Sequence, residues 1–87
     1  MNDTNDLRFR RVVAAVLGLS PEDVTDQTNP DTVDTWDSLN HINLISALEQ
    51  EFRIMLPAAS MGSAQSIPAL KALLVEHGVQ FPIARNP

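Results

Sequence analysis

Ser38 and His41 are the residues whose types and spacing come closest to chemistry in this chain. On a helix, residues three apart are neighbours, so a hydroxyl and an imidazole would meet there, with Asp37 beside them. A nucleophile also needs donors for the developing oxyanion and a pocket around it. The Gly-x-Ser-x-Gly elbow is missing, no oxyanion hole is assignable, and so small a bundle leaves little room for a pocket. A hydrolase is therefore a poor reading. The other chemistry open to the Ser38 hydroxyl is to be esterified. Asp37 stands where a helix N-cap should be and Ser38 in the first turn, where backbone N–H groups lack intrahelical partners at the positive end of the dipole. A phosphate ester on Ser38 would meet donors and a favourable field. Cysteine is absent, so any thioester sulfur would have to arrive on a prosthetic group.

The elements that must hold this point follow from apolar periodicity. A first helix is predicted over about Asn5 to Leu17, with Phe9, Val12, Val13 and Val16 on one stripe, Arg8 and Arg11 off it, and Gly18 as its stop. A long connection runs from Leu19 to Asp37. In it Ser20-Pro21-Glu22-Asp23 reads as a cap that seeds one short turn, and Asn29-Pro30-Asp31 is turn chemistry. The second helix should open at Asp37-Ser38 and reach about Phe52. Ile45, Leu48 and Phe52 centre its stripe, Ile42 and Leu44 flank it, and Leu39 gives it an apolar foothold beside Ser38. A further short turn is expected near Met61. The last helix is predicted from Ser66 as N-cap to about His77, with Ile67, Leu70, Leu73 and Leu74 inward and Gly78 as its stop. Alternating strand patterns are nearly absent. The fold class is all-α, a small three-to-four-helix bundle with a long loop between helices 1 and 2. The domain spans 1–78, and 79–87 form a C-terminal tail.

Other candidate residues carry two readings each. Trp36, the only Trp, reads as an anchor clamping the loop onto the helix start, or as an apolar contact for whatever Ser38 bears. His41 aligns on the helical wheel with Ile45, Leu48 and Phe52. That suits a half-buried, hydrogen-bonded imidazole; the alternative is a bond toward a phosphate. Met61 lines that space or is a core residue, and His77 suits the C-terminal dipole of the last helix. The two His residues and the scattered carboxylates have no metal-ligand spacing.

Charge is unevenly spread. The chain carries −5, yet residues 21–52 hold eight carboxylates and no Lys or Arg. Such a block repels phosphate backbones and anionic lipid, so nucleic acid and membrane are poor partners and basic protein surfaces good ones. The first residues lack a signal-peptide pattern, and the longest apolar run, Val12 to Leu17, is too short to span a bilayer. A monomeric, cytoplasmic protein is expected.

Taken together, residues 5–78 resemble the acyl carrier protein family. The resemblance rests on Asp37-Ser38-Leu39 opening the second helix and on the pattern that follows, Ile42, Leu44-Ile45, Ala47-Leu48-Glu49 and Glu51-Phe52. Leu17-Gly18-Leu19-Ser20-Pro21-Glu22-Asp23-Val24 adds to it, being similar to the end of the family's first helix and its opening loop. The resemblance implies a bundle of acyl-carrier type and 4'-phosphopantetheine transferred from coenzyme A to Ser38 by a phosphopantetheinyl transferase. It implies a non-catalytic role: the arm holds an acyl group as a thioester for loading and processing enzymes with basic docking surfaces, in fatty-acid or other lipid metabolism. Around the arm it would place Trp36, Asp37, Leu39, His41 and Met61. Toward partners it would place Asp34, Asn40, Asn43, Glu49, Gln50 and Glu51. The chain departs from the family where acids commonly stand two, five and twelve residues after the serine: Asn40, Asn43 and Gln50 stand there instead. The region Ala58-Ala59-Ser60-Met61-Gly62 also has no acid. These changes point away from a general fatty-acid synthase, toward a specialised carrier with dedicated partners. Two alternatives remain, an aminoacyl or peptidyl cargo and an unmodified acidic interaction domain. Asp37 before the serine fits acyl carriers better than the Gly-His-Ser type of many peptidyl carriers.

Overall fold

The computed structural model describes residues 3–81, apart from the side chains of Asp3, Ser60 and Met61. Three α-helices make the bundle: α1 (Asp3–Leu17), α2 (Ser38–Phe52) and α3 (Ile67–Glu76). Short 3-10 turns at Pro21–Asp23 and Ala58–Gly62 punctuate the two connections, so the turn expected near Met61 is a single 3-10 element and not a fourth α-helix.

All three helices end by the same device. A left-handed residue follows the last turn, and the next residue's N–H reaches back five positions. Gly18 (φ +74°) precedes Leu19 N–H to Ala14 O, Arg53 (φ +56°) precedes Ile54 N–H to Glu49 O, and Gly78 (φ +97°) precedes Val79 N–H to Leu74 O. This arrangement satisfies carbonyls that a helix end leaves open, and the residue after the left-handed one usually turns an apolar side chain inward. Here Leu19, Ile54 and Val79 all pack against the core. Glycine made two of these ends legible; Arg53 offered no such signal.

The core is one cluster. Phe9, Val13, Ala14 and Leu17 come from α1, Leu44, Ile45 and Leu48 from α2, and Ile67, Leu70 and Leu74 from α3, with Val24, Trp36, Leu56 and Val79 from the connections. The rotation of α2 differs from the expected one. His41 and Leu44 are buried, Ile42 is exposed and Phe52 only half-buried. Leu39, expected as a foothold, is 67% exposed. The buried positions run 41, 44, 45 and 48, a regular helical stripe that takes in His41 and leaves Leu39 and Ile42 outside it.

Side chains outside the core fasten the helices together. Arg8 in α1 pairs with the Glu51 carboxylate at 2.6 Å and also donates to the Glu51 carbonyl, while its guanidinium lies 4.7 Å from the Phe52 ring centroid. Asp6 accepts from Arg10 one turn on and from Lys71 of α3 at 2.9 Å. Burial alone would raise the Asp6 carboxyl, but the hydrogen bonds and charges of Lys71 and Arg10 outweigh it and hold the group below its ordinary range.

The long connection is held by its own polar side chains. Buried Thr28 donates to the Asp23 carbonyl and accepts from Thr25 N–H, and the Asn29 carboxamide oxygen accepts from the N–H groups of Asp31 and Thr32. Such side-chain turns replace the backbone partners that a loop lacks. Beyond α3, buried Val79 and half-buried Phe81 continue the packing, Phe81 edge-on to Phe9 and Phe52. The packed unit thus continues past Gly78, where the sequence suggested a tail; residues 82–87 of that tail lie outside the described residues. Among the described residues, no helix is long and apolar enough to cross a membrane.

Candidate functional site

The start of α2 is held from several sides. Asp37 has extended backbone (φ −104°, ψ −176°), its carboxylate accepts from Asn40 N–H at 2.9 Å, and its carbonyl accepts from His41 N–H at 2.8 Å. It is therefore an N-cap as expected. The preceding residues are tied down too. The Thr35 hydroxyl donates to the Leu17 carbonyl at 2.6 Å, anchoring the loop's end to the end of α1, and the Asn40 carboxamide donates to the Thr35 carbonyl at 2.7 Å.

Beneath this rim lies a buried polar link. Trp36 and His41 are almost fully buried, the indole N–H donating to His41 Nδ1 at 3.1 Å with the rings stacked. Indole nitrogen can only donate, so Nδ1 accepts and the proton of the neutral ring sits on Nε2. Nε2 in turn donates to the Ser63 carbonyl at 2.8 Å. One imidazole thus joins the loop before α2, α2 itself and the segment leading into α3.

Ser38 stands clear of this framework. It is exposed at the first position of α2. Among the described residues its hydroxyl has no hydrogen-bond partner, and neither do the N–H groups of Ser38 and Leu39, which the helix cannot satisfy internally. Beside it opens a depression of about 260 Å³ lined by Pro30, Trp36, Asp37, Ser38, His41 and Gln65. Trp36 and His41 meet it only as buried walls already bonded to each other, whereas Asp37 is an exposed cap and Leu39 an exposed apolar neighbour. Met61 belongs to the second 3-10 turn, and its side chain lies outside the described residues.

The side chains expected to face partners divide into two groups. Asp34 and Gln50 are exposed. Asn43 is exposed and donates to the Asn40 side chain, which itself is tied to the loop. Glu49 accepts from Leu56 N–H at 2.7 Å, and Glu51 is paired with Arg8, so both helix-2 carboxylates are engaged within the molecule. Sequence reasoning missed Thr35, Pro30, Ser63 and Gln65. Pro30 had been read only as a turn residue, and nothing in the local pattern marks the other three, because their contacts span long stretches of chain.

A family model described as a phosphopantetheine attachment site matches residues 8–74, most of the chain. No curated protein matches the chain at a significant level.

Proposed function

The chain belongs to the phosphopantetheine-attachment family of carrier domains, and on that premise we propose that Ser38 bears the arm and that the cargo is an acyl group. The family carries 4'-phosphopantetheine, works without catalysis of its own, and is served by a phosphopantetheinyl transferase and by cargo-processing enzymes. The observation that carries the assignment to Ser38 is an exposed, uncommitted hydroxyl at the mouth of α2, beside free first-turn N–H groups and an open depression. These features fit the group: a phosphodiester here lies in the positive field of the helix terminus, and the depression gives the start of the arm room. In the transfer, Ser38 Oγ attacks the phosphorus that bears pantetheine in coenzyme A. The new P–O bond forms as the bond to the nucleotide half breaks, and the hydroxyl proton passes to the transferase.

What the chain itself supplies is position. Asp37 starts the helix, the Trp36–His41 link fixes the loop behind it, and Ser38 projects into solvent. An acyl cargo is supported by Asp37 directly before the serine, in the manner of acyl carriers. The pathway that fits is a specialised acyl or lipid route, since the acids typical of helix 2 in broadly serving carriers are replaced by Asn40, Asn43 and Gln50. The test is intact mass after incubation with coenzyme A and a broad-specificity phosphopantetheinyl transferase. One arm should appear on wild type and none on Ser38→Ala; an arm on the variant would move the site elsewhere. Loading assays with acyl-activating and amino-acid-adenylating enzymes then decide the cargo.

A further inference from the structure

Asn40, half-buried two residues after Ser38, is bonded in three directions. Its backbone N–H donates to the Asp37 carboxylate at 2.9 Å, its side-chain nitrogen donates to the Thr35 carbonyl at 2.7 Å, and its side-chain oxygen accepts from the Asn43 carboxamide at 3.3 Å. The partners fix how both carboxamides point. A backbone carbonyl can only accept, so the nitrogen of Asn40 faces Thr35, its oxygen faces Asn43, and Asn43 presents its own nitrogen. The Thr35 carbonyl takes a second donor, Asp37 N–H at 3.0 Å, and the Thr35 hydroxyl donates to the Leu17 carbonyl at 2.6 Å. A continuous ladder thus runs from Asn43 on α2 through Asn40 and Thr35 to the end of α1. Asn40 closes residues 35–40 into a ring, and exposed Ser38 lies within that span.

Resting on the carrier reading above, we infer that Asn40 and Thr35 are positioning residues for arm attachment, their ladder holding the turn that presents the Ser38 hydroxyl. That hydroxyl makes no bond of its own among the described residues, so its place is set by the backbone that carries it. The Asp37 cap fixes the helix side of this backbone; the ladder fixes the loop side, to α2 through Asn40 and to α1 through Leu17. Transfer needs Ser38 Oγ aligned with the bond to phosphorus that breaks, and a misplacement of about 1 Å in such a step can cost roughly 100-fold. The residue type at position 40 is demanding. A carboxylate there has no hydrogen to donate and sets its charge against the Thr35 carbonyl, and an aliphatic side chain leaves the loop and Asn43 unjoined. The Asn40 side chain therefore serves the turn beneath it and is not held out as a contact for partners.

The experiment measures kcat and KM for arm transfer to the full-length unmodified chain, with a broad-specificity transferase at saturating coenzyme A, in about 0.1 M and about 1 M sodium chloride, where the screening length falls from roughly 10 to roughly 3 Å. Asn40→Ala and Asn40→Asp both remove the donor, and the second adds a charge. Thr35→Val, at an exposed position, breaks the ladder independently of Asn40, and Thr35→Ser keeps the hydroxyl. Met55→Asp adds a charge at an 83% exposed position beyond the far end of α2. Asn40→Ala, Asn40→Asp and Thr35→Val should each lose about fivefold or more in kcat, with KM within about twofold of wild type, at both salt concentrations. Thr35→Ser should recover most of what Thr35→Val loses, and Met55→Asp should match wild type. The split between the two constants separates positioning from stability, because partial unfolding of the carrier dilutes the competent substrate and raises KM without lowering kcat. Wild-type kcat in the Asn40 and Thr35→Val variants would overturn the inference, as would a loss carried by KM. A faster Asn40→Asp whose gain disappears at high salt would also overturn it, by making position 40 a docking site for cations. Wild type that takes no arm at all is a different result: it overturns the carrier reading, and this inference with it.

Discussion

Trp36 and His41 are bonded to each other inside the core, indole N–H to Nδ1 at 3.1 Å, directly beneath the exposed Ser38. This link makes the imidazole an acceptor on one side and a donor to Ser63 O on the other. An aromatic hydrocarbon of similar size would fill the space but leave a buried indole N–H and a carbonyl without their partner. His41→Phe should therefore destabilise the fold by about 2–4 kcal/mol although it makes the core more apolar, because unsatisfied buried groups cost more than the added hydrophobicity returns. Urea denaturation measures it. In Trp36→Phe/His41→Phe the indole N–H is gone as well, so the double variant should cost less than the sum of the two single changes. A strictly additive pair would mean that the hydrogen bond contributes nothing.

Asp6 makes a prediction about acid. Its carboxyl is held below the ordinary range because the hydrogen bonds and charges of Lys71 and Arg10 outweigh the burial that would raise it. The unfolded chain therefore binds a proton at this site at a pH where the folded chain does not. The stability that Asp6 contributes is complete above the unfolded carboxylate range and is lost as pH falls through the folded value. Asp6→Asn should be less stable than wild type near neutrality, and the difference should shrink between about pH 5 and about pH 2. Parallel curves for the two proteins across that range would remove Asp6 from the acid response.

Local chemistry is what the sequence conveyed best. Asp37 and Ser66 were readable as caps, and Gly18 and Gly78 as stops, because each acts within a turn of its own position. The rotation of α2 was readable only in part, since Leu44, Ile45 and Leu48 are inward as the pattern predicts while Ile42 is not. An imidazole at position 41 looks polar from its type alone, and only Trp36 and Ser63 together make it a core residue. The periodicity aligns His41 with Ile45, Leu48 and Phe52 and suits a half-buried imidazole, but its nearly complete burial depends on those two partners, and Leu39 and Ile42 are more exposed than the pattern predicts. The engagement of Glu51 by Arg8 was hidden for a similar reason, since it depends on how α1 crosses α2 over 43 residues of separation.

Arg53 occupies a left-handed position (φ +56°) that the other two helix ends fill with glycine. A side chain there meets the following carbonyl at a cost of about 1–2 kcal/mol, partly offset in glycine by the larger entropy of its unfolded chain, about 0.5–1 kcal/mol. Arg53 also has an exposed side chain, so little else is lost on truncation. Arg53→Gly should stabilise the domain by about 0.5–1 kcal/mol, read as a higher urea midpoint with an unchanged slope. Destabilisation would mean that the arginine makes a contact that outweighs the backbone strain.

Ser38 and Asp37 are neighbours with separable duties, and substitution can part them. The Ser38 hydroxyl has no intramolecular partner among the described residues, so Ser38→Ala should change stability by less than about 0.5 kcal/mol while abolishing arm attachment. Asp37 holds Asn40 N–H with its side chain. Asp37→Ala should cost about 1 kcal/mol, whereas Asp37→Asn, which keeps a capping oxygen, should cost little. Because α2 begins at Ser38, loosening the cap frays the turn that presents the hydroxyl. Attachment should then slow in Asp37→Ala relative to Asp37→Asn, in step with the loss of stability. Calorimetry and intact-mass time courses on the three variants test this together. A slow but fully stable Asp37→Asn would show instead that the negative charge, and not the cap, is what the transferase reads at this position.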